Sequence, residues 1–156
     1  VTTPAGELVL RDERPGDAAF RFLLFRLSRG PQWEALACAP GFEPLMRQQF
    51  FAQQASYAGC ASLIVETAGA PVGRMALKCD DSLWLVDIAL LPEARGQGFG
   101  EALLVPLQAE ARNRALPLRL SVARDNPRAA ALYRRLGFKE CGGDAVYAKM
   151  IWTAAG

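Results

Sequence analysis

At 156 residues, 51% hydrophobic and 22% charged, the chain is long enough to form one domain over residues 1–156 with a core of its own. A formal net charge of +2, without a run of five like charges, argues against a nucleic-acid partner, and no apolar run approaches the roughly 20 residues that span a bilayer. Zero histidines removes His-dependent triads, His general bases and most catalytic zinc sites, so the expected chemistry needs no metal. Cys38, Cys60, Cys79 and Cys141 are widely spaced with no C-x-x-C pair. With no secretion-type n-region and h-region at the start, they are expected to be reduced thiols of a cytoplasmic protein.

A short strand is predicted over residues 7–11, followed by a turn at Arg14-Pro15-Gly16. Asp17 is expected to cap a helix over 18–27, which contains good helix formers and ends at Gly30-Pro31. A second helix is predicted over 43–58, with Met46, Phe50 and Tyr57 near helical spacing and Gln49 and Gln53 as an i, i+4 pair. Apolar runs at 61–67 and 72–79, joined by Ala68-Gly69-Ala70-Pro71, predict a hairpin. A third run, 83–91, is apolar on both alternating faces, as in a central strand covered on both sides.

A long helix is predicted over 98–114, with a bend at Pro106. The strand predicted over 117–122 completes a βαβ unit. A helix follows over 126–136, with Pro127 in its first turn and Gly137 past its end. A closing hairpin over 138–141 and 145–152 leaves 153–156 as a loose tail. The order βααβββαβαββ is a mixed α/β layout.

Between the third run and the long helix lies the most informative stretch: an apolar strand, then Leu91-Pro92-Glu93-Ala94-Arg95-Gly96-Gln97-Gly98-Phe99-Gly100, then helix formers. Three alternate glycines leave the amides of the turn uncovered by Cβ atoms, the helix behind them directs its positive end at the turn, and Arg95 adds charge. This pattern suits a phosphate. It is not a Walker loop, because Gly100 precedes Glu101 rather than Lys. It is not a dinucleotide fingerprint either, because the third glycine arrives one residue too early.

What remains, R-x-x-G-x-G after a strand, resembles the acetyl-CoA-binding turn of the GCN5-related N-acetyltransferase (GNAT) superfamily. About 30 residues downstream, Asn126-Pro127-Arg128-Ala129-Ala130-Ala131-Leu132-Tyr133-Arg134-Arg135-Leu136-Gly137-Phe138 resembles its N-x-x-A-x-x-L-Y-x-x-x-G-F element. The resemblance implies a central, mixed but mostly antiparallel sheet of about seven strands. Its parallel fourth and fifth strands splay apart, and helices lie on both faces. It also implies an acetyl-CoA-dependent N-acetyltransferase that moves an acetyl group to a primary amine by direct attack in a ternary complex. The alternative on the same fold is a non-catalytic acyl-CoA-binding sensor or scaffold.

Carried onto this sequence, the resemblance places the pantetheine arm against Ala89 and Leu90, with the Leu90 amide donating to the thioester carbonyl. The pyrophosphate falls on the amides of Gly96, Gln97, Gly98, Phe99, Gly100 and Glu101, beside Arg95. Tyr133 becomes the general acid for the departing thiolate; taken alone, it reads as a packing tyrosine on a helix face. Asn126 serves as helix N-cap and as a contact to the arm. Arg128 reaches the CoA phosphates or is plain helix surface. Asp87 is the best-placed carboxylate for a base, or else is structurally paired with Arg74, Lys78 or Arg119, leaving a water chain to deprotonate the amine. The acceptor, a small molecule or a peptide amine, is expected between Trp33, Glu34, Phe42, Glu43, Gln49, Gln53 and Tyr147. The terminal hairpin offers an edge for a homodimer.

Overall fold

The computed structural model describes residues 2–3, 6–28, 35–36 and 39–154. Seven strands form one sheet: β1 (Gly6–Asp12), β2 (Ala61–Thr67), β3 (Ala70–Cys79), β4 (Leu83–Leu90), β5 (Leu118–Ala123), β6 (Lys139–Gly143) and β7 (Tyr147–Trp152). Their order is β1-β2-β3-β4-β5-β7-β6, with a two-residue strand, Thr2–Thr3, added beside β1. Every neighbouring pair is antiparallel except β4 and β5, which are parallel. The helices are α1 (Ala18–Ser28), α2 (Phe42–Ser56), α3 (Phe99–Arg114) and α4 (Pro127–Arg135). The expected seven-strand mixed sheet with its parallel central pair is the one observed.

Side-chain alternation shows which faces are covered. Ile64 and Val65, neighbours on β2, point to opposite faces, and both are fully buried; Met75 and Ala76 on β3 repeat this. One face packs Leu8, Val65, Met75, Leu85, Leu118, Leu120 and Met150 against Phe99, Leu103 and Leu104 of α3 and Tyr133 of α4. On the other side α1 lies over β3 and β4, and Phe25, Met46 and Phe50 form a separate cluster between α1 and α2. In the β5–β7 half, Leu120, Val122, Ala148 and Met150 are buried while Ser121, Tyr147 and Lys149 are exposed. Among the described residues, that half is covered on one face only.

Three local details differ from expectation. Asp17 does not cap α1. It ends a short 3-10 turn, where its carboxylate accepts the Arg14 amide (2.7 Å) and binds Arg11 through both oxygens (2.9 and 2.7 Å). The β2–β3 turn is two residues, Ala68 and Gly69, both at positive φ, which matches the twist of the flanking strands. The tail is not wholly loose, since Ala154 packs against the main core. α3 runs through Pro106 as one helix. Asn126 caps α4 as expected, its Oδ1 accepting the Ala129 amide at 3.2 Å.

Candidate active site

The parallel pairing of β4 with β5 lasts only three rows, from Leu83–Leu118 to Leu85–Leu120. Beyond it the strands part. A cause is visible on the other edge of β4, where Ala76 pairs with Asp87 and Leu77 with Leu85, leaving Val86 as the extra residue of a bulge. A bulge bends its strand and sharpens the twist, so the chain after Val86 swings from β5 while keeping its ladder to β3. The resulting cleft, about 130 Å3, is lined by residues 85–88 and 120–123 with Asn126, Ala129 and Tyr133.

The exposed edge of β4 carries defined groups. Leu91 donates its amide to the Val72 carbonyl at 2.8 Å, facing β3. Alternation therefore turns the N–H and C=O of Leu90 away from β3, toward the side where β5 has departed. The Leu90 carbonyl accepts Arg95 Nε at 3.2 Å. Arg95 thus fastens the turn to the strand end as well as bringing charge. Gly73, opposite Leu90, allows this close approach: a Cβ there would lie 2.6 Å from the Ala89 carbonyl oxygen and 2.6 Å from Leu90 Cδ2.

The glycine turn follows the end of β4 and leads into α3. Gly96 and Gly98 adopt positive φ, 75° and 81°, and no side chain caps α3 at Gly98. The first backbone bond of α3 runs from Ala102 to the Gly98 carbonyl, so the amides of Phe99, Gly100 and Glu101 lie ahead of the helical ladder. Phe99 is buried and anchors the turn in the core. Gln97 bonds back to the Glu93 carbonyl, and Glu101 pairs with Arg135 at 3.2 Å. A Cβ on Gly96 would meet the Arg128 guanidinium at 3.4 Å, and one on Gly100 would meet Leu132 Cδ2 at 3.1 Å. α4 therefore packs directly against the turn and brings Arg128 to it. The cradle joins open amides, an absent Cβ and two arginines, a donor set that fits a diphosphate.

Tyr133, 6% exposed, lies at the cleft with its ring 5.7 Å from that of Phe138. Burial, then the negative charge of Asp87, pushes its phenol up to about 12. Asp87 faces the α1 side of the sheet, where burial raises its pKa, opposed by the Arg74 charge, the Tyr57 phenol and the Ile88 amide. Burial, then Asp87, raises the Tyr57 phenol as well. The Arg74 guanidinium stacks 4.4 Å over the Tyr57 ring and pairs with Glu13 at 3.4 Å, and Glu13 also pairs with Arg21 at 2.9 Å. Of the three cations considered as partners for Asp87, none forms an ion pair with it among the described residues; Arg74 alone acts on it through its charge, while pairing with Glu13. Lys78 pairs with Asp80 at 3.5 Å, and Arg119 donates to Ser82 Oγ at 2.9 Å.

Asp87, Asn126 and Tyr133 thus meet around one cleft; on β4 its lining ends at Ile88, and Ala89 and Leu90 continue the strand toward residues 95–101, against which Arg128 packs. The expected acceptor residues are less gathered. Phe42 and Glu43 line a separate cavity with Phe22, Arg26 and Met46 between α1 and α2. Gln49 and Gln53 are half-buried on α2, and Tyr147 is exposed on the β6–β7 hairpin. Trp33 and Glu34 lie outside the described residues. Tyr57 was legible only as an apolar position of the second helix and Gly73 not at all, because each matters through residues on a neighbouring strand.

The family model described as the acetyltransferase (GNAT) family matches residues 29–138. No match was found among curated proteins. Among solved structures, a PaiA N-acetyltransferase from Thermoplasma acidophilum in complex with coenzyme A has a TM-score of 0.71 at 18% identity, covering 95% of this chain and 99% of that one. An acetyltransferase from Thermus thermophilus has a TM-score of 0.69 at 20% identity, covering 94% and 97%. The Vibrio cholerae spermidine N-acetyltransferase in complex with CoA and spermine has a TM-score of 0.64 at 22% identity, covering 94% and 95%.

Proposed function

Because the chain belongs to the acetyltransferase (GNAT) family, we propose that it moves an acetyl group from acetyl-CoA to a primary amine by direct attack within a ternary complex. The observation that carries this reading is the parting of β4 from β5 after Leu85 and Leu120, beside the open N-terminus of α3. Neighbours crystallised with CoA support the same cosubstrate. When bound, acetyl-CoA supplies an acetyl group activated as a thioester.

The chain's own residues have distinct tasks. The amides at 96–101, with Arg95 and Arg128, hold the diphosphate, while Leu90 and Asn126 align the arm along β4; the Ala89 carbonyl is turned to Gly73 on β3 and takes no part. Leu90 directs its N–H at the carbonyl oxygen, where negative charge grows as the amine attacks. Asp87, or a water chain reaching it, takes the proton that the ammonium must lose before nitrogen bonds to carbon. Tyr133 keeps its proton throughout the neutral range, its phenol being pushed up to about 12, and gives it to sulfur as the C–S bond breaks. No cysteine lies in either motif, so no acetyl-enzyme is invoked.

Thiol release from acetyl-CoA, followed over a panel of amines, tests the reading. With an amine that is turned over, Tyr133→Phe is expected to lower kcat on the order of 10²-fold and to leave CoA affinity nearly unchanged. An unchanged kcat removes Tyr133 from the chemistry. Tight CoA binding without thiol release from any amine supports the non-catalytic module instead.

A further inference from the structure

The uncovered face of the β5–β7–β6 half carries a charge pattern that acetyl transfer alone does not explain. Register aligns Arg119 with Ile151, Ser121 with Lys149, and Lys139 with Ile151, so Arg119, Lys139 and Lys149 share that open face. None of the three enters an ion pair among the described residues. Arg119 is steadied by Ser82 and lies 5.7 Å from the Trp84 ring centre. Asp144, on which the Lys149 charge acts weakly, has its Oδ1 already accepting the amides of Val146 and Tyr147, both at 2.8 Å.

This face runs into the cleft at Ser121, which lines it together with Asp87. Lys149 sits on the adjoining strand, with its Cβ about 5 Å from that of Ser121, and Arg119 is about 7 Å back along β5. An amine brought to Asp87 therefore has its neighbouring groups over a row of unpaired cations. The row crosses three adjacent strands, about 10 Å, which exceeds one amino acid and suits an extended segment. A polyamine, cationic along its length, meets like charge there. Nucleic acid would need a larger positive footprint than a chain of net charge +2 offers.

Building on the acetyl-transfer reading, we propose that the acceptor is an acidic peptide. Its free amine lies at Asp87, and its carboxylates lie across Lys149, Arg119 and Lys139. Charge complementarity of this kind sets partner choice and association rate more than final affinity, and it weakens with salt.

The test uses peptides that carry one free amine followed by three glutamates, three glutamines or three arginines, with spermidine alongside, all read by thiol release. At low salt, kcat/KM for the glutamate peptide is expected to exceed that of the glutamine peptide about tenfold, and the ratio to shrink toward one at high salt. In Lys149→Glu the glutamate-to-arginine ratio is expected to fall at least as far. Equal rates for the three peptides, preference for arginine or spermidine, or a ratio untouched by Lys149→Glu overturns the proposal and leaves acetyl transfer standing. Competition by an RNA oligomer but not by the free glutamate peptide also overturns it, assigning the face to another partner. No thiol release from any amine overturns both readings.

Discussion

Asp87 is held where burial works against its charge. Its pKa lies above the ordinary carboxylate value in spite of Arg74, Tyr57 and the Ile88 amide, because desolvation is the largest influence on it. A folded-state pKa raised above the unfolded value means the folded chain binds the proton more readily. Stability contributed by this group is therefore greatest at acid pH and falls as pH rises through the shifted value. A buried carboxylate whose pKa is shifted upward beside a cleft suits proton transfer better than scaffolding. In kcat/KM against pH, an acid limb is expected above the ordinary carboxylate range, and Asp87→Asn should flatten it while lowering the plateau. A limb that persists in Asp87→Asn assigns the titration elsewhere and leaves deprotonation to water. The sequence made Asp87 visible as a carboxylate in a strand before the motif. Tyr57, about 30 residues earlier, was indistinguishable from an ordinary residue on an amphipathic helix. Its role depends on the end of α2 meeting β3 and β4 in space.

At the scale of elements, the site is made by how β3 grips β4. β3 follows the bulged β4 only because Gly73 lets the Ala89 carbonyl and Leu90 come within 2.6 Å of where a Cβ would be. Gly73→Ala forces backbone to move, since one of the two clashing atoms is a carbonyl oxygen. A loss of about 1–3 kcal/mol is expected in chemical denaturation, with kcat reduced because the Leu90 amide is displaced. Wild-type stability and kcat in this variant would contradict the positioning ascribed to the strand pair. Strand and helix identities were legible in the chain, most with boundaries within two residues, because hydrophobic period and turn residues are local signals. The Val86 bulge was not legible, since register belongs to two strands at once. Asp17 misled for a related reason: a carboxylate before a helix reads as a cap, but Arg11 on β1 offered a fork for both oxygens.

Over the whole molecule, the two motifs converge because α3 and α4 pack on one face of the sheet. Leu132 of α4 sits against Gly100, and Gln108 of α3 donates to the Leu136 carbonyl at 2.8 Å. The glycine turn and the asparagine–tyrosine helix are thereby held against each other. This convergence was legible as order and spacing along the chain, whereas the uneven covering of the sheet was not. Among the described residues that covering comes from α1, packed on β3 and β4, and the outer side chains of β5, β7 and β6 remain exposed or half-buried. Acetyl transfer by this chain requires the gap between β4 and β5 to be a seat for a thioester arm. The most direct measurement is a crystal structure of the chain with coenzyme A. The arm is expected to run between residues 86–90 and 121–123, hydrogen-bonded to the free edge of β4, with the diphosphate on the amides of 96–101. Coenzyme A bound elsewhere, or a gap left empty at saturating ligand, would contradict it.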